Sequence, residues 1–131
     1  MDKKPIKKDL LYPELSYRIM SAVFEVHNQL GPGFTEDIYE EALAQELMSR
    51  GIPFERQKQI QVKYKNRIVG TYRLDLVIDT KIILELKAVT ELNDVFQAQL
   101  HSYLCATNLQ LGILINFGSK LVQSIRVPHT K

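Results

Sequence analysis

Arg73-Leu-Asp75-Leu-Val-Ile-Asp79-Thr-Lys-Ile-Ile-Leu-Glu85-Leu-Lys87 is the stretch whose reading decides the fold of this chain. Two apolar, strand-like runs meet at a short polar turn. Each run carries charge where a buried strand ordinarily carries Val or Ile. In the second, a period of two sets Glu85 and Lys87 on one face with Ile83, and Leu84 and Leu86 on the other. Burying charge is costly unless the charge is paired or coordinates a metal. Asp75, Glu85 and Lys87 therefore read as a site.

The chemistry of that site follows from its donors. Carboxylate oxygens suit a hard cation such as Mg²⁺ (or Mn²⁺), and the backbone carbonyl of Leu86 is placed to add a further ligand. Lys87, roughly 6.5 Å along the strand from Glu85, is placed to orient or deprotonate a water attacking a phosphodiester. Register sets a condition on Asp75. A two-residue turn at Asp79-Thr80 puts Asp75 opposite Leu84 and away from Glu85, whereas a three-residue loop or one bulge puts it directly opposite Glu85. The competing reading is an exposed Glu-Lys pair on an edge strand, which is common and contributes little.

Upstream, residues 15–30 carry Ile19, Met20, Val23, Phe24 and Leu30 at helical spacing, closed by Gly31-Pro32-Gly33. No strand precedes those glycines and no Lys-Ser or Lys-Thr follows, so they do not form a phosphate loop. Thr35 is placed to N-cap a second helix over residues 36–50, with Glu36 and Asp37 in its first turn. Its apolar face holds Ile38, Tyr39, Ala42, Leu43 and Leu47; Glu36 and Glu40 stack at the border, and Glu46 falls on the inward side. Glu36 or Glu40 can reach a metal over the sheet edge; for Glu36 a charge at the helix N-terminus is the competing reading.

Residues 59–64 alternate as a strand, Lys65-Asn66 is a turn, and Gly70 marks a bulge in the strand that follows. Residues 81–87 form the next strand and 93–107 a third helix. A fully apolar strand is expected at 111–117 and an edge strand at 121–127. On the third helix Gln99 and Tyr103 share a face and read either as contacts to a substrate phosphate or base, or as an ordinary amphipathic pair. The order ααβββαββ implies an α/β fold, a mixed sheet flanked by helices.

Bulk properties bound the function. The chain has 131 residues, 45% hydrophobic and 24% charged, which suits one soluble domain. We expect a basic N-terminal tail over residues 1–14 and a single domain over 15–131. No apolar run reaches the ~18 residues that span a membrane. The lone Cys105 excludes an internal disulfide, suits the cytoplasm and reads as a small core hydrophobe. His27, His101 and His129 fall in separate elements without ligand spacing, which argues against a zinc site or a Cys-His nucleophile. Net charge is only +2, but residues 54–73 hold six bases (Arg73 among them) against one acid, and 35–50 hold five acids against one base. A basic strand region beside an acidic helix can present a phosphate backbone to a metal cluster; a solvated hairpin face is the plainer reading.

Asp75 followed by Glu85-Leu86-Lys87 resembles the PD-(D/E)XK nuclease superfamily. More closely, Glu25-Val-His27, Leu30-Gly-Pro-Gly33-Phe-Thr-Glu36-Asp-Ile-Tyr39-Glu40-Glu41-Ala42-Leu43, Arg50-Gly-Ile-Pro-Phe-Glu-Arg-Gln57, Tyr72-Arg-Leu-Asp75 and Leu114-Ile-Asn116-Phe117 resemble the small bacterial GxxExxR proteins. The resemblance runs from about residue 15 to 117. It implies a restriction-endonuclease-like fold and Mg²⁺-dependent hydrolysis of nucleic acid, DNA ahead of RNA. In that reading Asp75, Glu85, the Leu86 carbonyl and Glu36 or Glu40 hold the metal, Lys87 assists the water, and Gln99, Tyr103 and Arg73 contact substrate. Small domains of this sort often work as homodimers, and an apolar edge fits that. The alternative is a non-catalytic module that kept the fold and binds nucleic acid or protein. Two departures stand out: Tyr39 lies where the family name suggests arginine, and Phe96 where a polar residue or histidine is expected before Gln99.

Overall fold

The computed structural model describes residues 11–129. Its elements are α1 (Pro13–Leu30), α2 (Glu36–Ser49), β1 (Phe54–Tyr64), β2 (Arg67–Ile78), β3 (Ile82–Lys87), α3 (Asp94–Thr107), β4 (Leu111–Asn116) and β5 (Gln123–Pro128). This is the expected ααβββαββ order. Most of the expected basic tail lies outside the described residues; α1 begins at Pro13, and Leu11 and Tyr12 pack against the core.

The strands form one mixed sheet in the order β1-β2-β3-β4-β5. Only the β3–β4 pair is parallel, with α3 as its crossover; the other pairs are antiparallel. Leu76, Ile78, Ile82, Leu84, Leu86, Ile113 and Ile115 face α1 and α2, while Leu74, Val77, Ile83 and Leu114 face α3. The two central strands are thus buried on both sides and read as continuous apolar runs.

The loop between β2 and β3 has three residues, because Ile78 pairs with Ile82. Asp79 and Thr80 take positive φ (52° and 54°), and the Lys81 ammonium closes on the Asp79 carboxylate at 3.0 Å. The pairing that follows, Val77 with Ile83 and Leu76 with Leu84, brings Asp75 level with Glu85. This meets the register condition. The Lys65-Asn66 turn has both residues at positive φ, 49° and 67°, the form whose twist suits a tight hairpin. The bulge expected near Gly70 is present: Val62 pairs with Gly70 and Lys63 with Ile68, leaving Val69 unpaired.

Several local expectations need correction. Thr35 precedes α2, but its hydroxyl donates to the Asp37 carboxylate instead of accepting a helix N–H. Ile38 is largely exposed, and Glu40 takes the inward position beside Tyr39 and Leu43. Cys105 lies on the outer face of α3, since Leu100, Tyr103 and Leu104 take the buried positions.

The strand at 111–117 is not fully apolar, because Asn116 sits wholly buried in it. Its amide donates to the Val89 carbonyl and the Gln123 side chain, and its carbonyl accepts from the Val89 and Gly118 N–H groups. A Cβ on Gly118 would stand 2.4 Å from the Val89 backbone, so the packing there admits only glycine. Asn116 fastens the segment after Lys87 to the end of β4, next to the Phe117 N–H bond onto the Lys87 carbonyl at 2.8 Å. Replacing Asn116 by Leu strands these backbone groups, each worth about 1–3 kcal/mol when buried without a partner. Val89 and Gly118 are half-buried, so water relieves part of this, and urea unfolding is expected to show a loss of about 2–4 kcal/mol; a loss below about 1 kcal/mol would mean that the segment does not depend on this amide.

Candidate active site

The β2/β3 ladder stops at Leu76–Leu84, and the next backbone groups need partners of another kind. The Asp75 N–H donates to Glu85 Oε2 at 3.1 Å, and the Leu86 N–H donates to Asp75 Oδ2 at 2.8 Å. Each carboxylate is thereby tied through one oxygen to the opposite strand. Asp75 Oδ1 and Glu85 Oε1 carry no hydrogen bond among the described residues, and no fully buried side-chain oxygen there lacks one, so both are open to solvent.

Both acids titrate far above their ordinary range. Burial is the largest cause for each. It lifts Asp75 to about 6 against the opposing Leu86 N–H, with further upward pushes from Glu40 and Glu36. Burial and then the Asp75 charge lift Glu85 to about 8, and Glu36 adds to this. Lys87 lowers both without offsetting the rest. The Lys87 Nζ lies 4.6 Å from the centre of the Phe96 ring, a cation–π contact supplied by one of the two departures noted in the sequence. Among the described residues Lys87 has no carboxylate partner within salt-bridge distance.

The two helix carboxylates are not equivalent. Glu40 is buried and held from β1: Arg56 Nε donates to its Oε2 at 3.1 Å and Gln57 Nε2 to its Oε1 at 2.8 Å. Gln57 reaches it from a backbone at positive φ (50°), in the place across from Asp75. Glu36 is exposed at the start of α2, with no hydrogen bond or ion pair among the described residues, yet its charge is felt at Asp75 and Glu85. Tyr39, the other departure, is a core residue. It stacks on Phe117 at 4.6 Å, donates its hydroxyl to the Gly31 carbonyl and accepts from the Phe34 N–H, holding the loop ahead of α2.

Gln99 and Tyr103 end in different surroundings. Tyr103 is buried against Tyr72 with ring centres 5.0 Å apart, while Gln99 is exposed. Burial, then Glu85, Tyr72 and Asp75, push the Tyr103 phenol up to about 12, so it stays a donor beside the carboxylates. Arg73 is exposed on β2, two residues before Asp75. The Leu86 side chain lies in the α1/α2-side core.

The profile of the PD-(D/E)XK nuclease superfamily matches residues 13–127. The chain belongs to this superfamily. No curated protein sequence matches it. Among solved structures, the crystal structure of SSO0001 is similar with a TM-score of 0.56 at 20% identity, over 92% of this chain and 58% of that one. That likeness shows a shared fold, and this chain spans little more than half of SSO0001. The sequence reading put the carboxylates and lysine on neighbouring strands, as the structure does. It left unread the partners that divide Glu40 from Glu36: Arg56-Gln57 was visible only as part of a basic segment. Asn116 and Tyr72 stand in the sequence only as parts of the family resemblance, with no role assigned; a lone Asn ending an apolar strand was the available signal for the first.

The histidines need a correction too. His101 and Cys105, one helical turn apart on α3, meet His129 just after β5, and one ligand atom from each lies within 4.8 Å of the others. Sequence spacing concealed this because the β4–β5 hairpin returns the chain to α3.

The carboxylate pair sets a pH dependence. The native state keeps its protons to about 6 and about 8, whereas ordinary values are 3.8 and 4.5. The native state therefore binds more protons than the unfolded chain in that window, and stability declines as pH rises through it. In metal-free buffer the thermal midpoint is expected to drop between about pH 4 and about pH 8, with the slope flattened in Glu85→Gln. Parallel curves for the two proteins would rule out a buried, proton-holding pair.

Proposed function

We propose that this chain is a metal-dependent nuclease hydrolysing phosphodiester bonds, DNA ahead of RNA, and a cytoplasmic protein of the GxxExxR branch of its superfamily. The observation that carries the reading is the crossed Asp75–Glu85 pair: one half-buried and one buried carboxylate, each with one oxygen tied down and one open, beside Glu36 and short of positive charge. All the donors are oxygens, which fits Mg²⁺ or Mn²⁺ and not a soft ion. We assign ligation to Asp75, Glu85, the Leu86 carbonyl and Glu36, with Glu40 fixing the approach of α2.

When bound, the ion supplies charge stabilisation at the phosphate and lowers the pKa of a water. The chain's own groups do the rest. Lys87, seated over Phe96, orients the attacking water and sets positive charge beside the phosphate. Tyr103 keeps its proton to about 12 and can donate to a substrate oxygen. Arg73, Gln99 and the basic β1–β2 hairpin offer contacts to the strand being cut. A net charge of +2 gives modest, salt-sensitive affinity. We infer that a homodimer, joined through the exposed apolar tip of that hairpin (Tyr64, Ile68, Val69), improves the hold on substrate.

The test is cleavage of labelled single-stranded, duplex and branched DNA and RNA with Mg²⁺, Mn²⁺ or EDTA. Metal-dependent cutting is expected, reduced by about 10²–10⁴ in Lys87→Ala and abolished in Asp75→Asn. Glu36→Gln is expected to raise the Mg²⁺ needed for half-maximal cutting by at least about tenfold at unchanged stability, whereas Glu40→Gln lowers stability. Retained binding with no cutting on any substrate would favour the non-catalytic module.

A further inference from the structure

On the outer side of α3 stands a second group of donors with different chemistry. Cys105 Sγ lies 3.8 Å from His101 Nδ1, and the His101 and His129 rings meet edge to face with centres 5.4 Å apart. His101 and Cys105 are exposed and His129 is half-buried. Both supports are fixed. His101 and Cys105 project from adjacent turns of one helix, and the His129 N–H is bonded to the Gln110 carbonyl at 2.8 Å.

We propose that His101, Cys105 and His129 form a binding site for a borderline-soft divalent ion such as Zn²⁺. One thiolate and two imidazoles suit such ions and do not suit Mg²⁺. Bonds of about 2.0–2.3 Å place the ligand atoms of a tetrahedral ion roughly 3.3–3.6 Å apart, so the 3.8 Å between Cys105 and His101 needs a small contraction, and the spacings to His129, within 4.8 Å, close by roughly 1.5 Å at most through side-chain rotation. Three protein ligands leave the fourth position to water or an outside ligand. The ion ties the end of β5 to α3. Strand register keeps this site apart from the carboxylates: Pro128, just before His129, pairs with Leu111 at the start of β4, whereas Lys87 pairs with Asn116 at its end.

The site is tested on the full chain, stripped with a chelator and titrated with Co²⁺. Thiolate-to-cobalt charge transfer absorbs in the near ultraviolet, and the carboxylate site has no sulfur to produce it. A saturable band is expected, displaced by Zn²⁺, abolished in Cys105→Ser and shifted to at least about 100-fold higher Co²⁺ in His101→Ala and His129→Ala. At a hundredfold excess over its Kd, Zn²⁺ is expected to raise the thermal midpoint by about 8 °C, an effect lost in His129→Ala. The side chains of His101 and Cys105 are exposed, so those two variants keep the fold; for His129→Ala, half-buried after the last strand, the metal-free thermal midpoint is read alongside. No thiolate band in the wild-type chain, or one indifferent to His129, would overturn the proposal.

Discussion

Where the β2/β3 ladder ends, Asp75 and Glu85 exchange side-chain bonds with each other's strands, and the rest of the site depends on that exchange. Two backbone N–H groups would otherwise be left near the core without partners, so the carboxylates do structural duty there. They also bring two like charges together in a poorly solvated place. The pair is tolerated by retaining protons or by accepting a cation, and the neighbouring Glu36 and Glu40 sharpen the demand. A fold feature and a chemical appetite are one arrangement. It exists because the loop at Asp79, Thr80 and Lys81 has three residues, with a threonine held at positive φ.

The same rule about buried charge sorts the carboxylates of α2. Glu40 points inward and is matched by Arg56 and Gln57 from β1; Glu36, one turn earlier, is left open at the mouth of the site. Lys87 is handled differently, since an aromatic face in place of an acid holds its ammonium without neutralising it. Its charge remains available to the centre it flanks. Asn116, with its four hydrogen bonds, anchors the backbone that follows it. α3 lies between two sets of donor atoms, with carboxylate oxygens near its sheet side and sulfur and imidazole on its outer side.

Element order, the flanking helices and the candidacy of Asp75, Glu85 and Lys87 were legible in the chain. Each follows from local periodicity: apolar residues every three or four positions, alternation along strands, and turns marked by Gly, Pro and Asn. The need for an odd loop was legible too, since a period of two makes register a matter of parity. What tertiary structure decided was which of several plausible residues share a place. Glu36 and Glu40 lie on one helix face, and only the approach of β1 divides them. Gln99 and Tyr103 are one turn apart, and only packing against Tyr72 buries one of them. Cys105 looked like a core residue in an apolar sequence, and His129 looked isolated 24 positions further on; the return of β5 along β4 brings them together. Sequence encodes the faces of each element through side-chain periodicity, but meetings between distant elements depend on register and crossover, which are set only when the sheet closes its core.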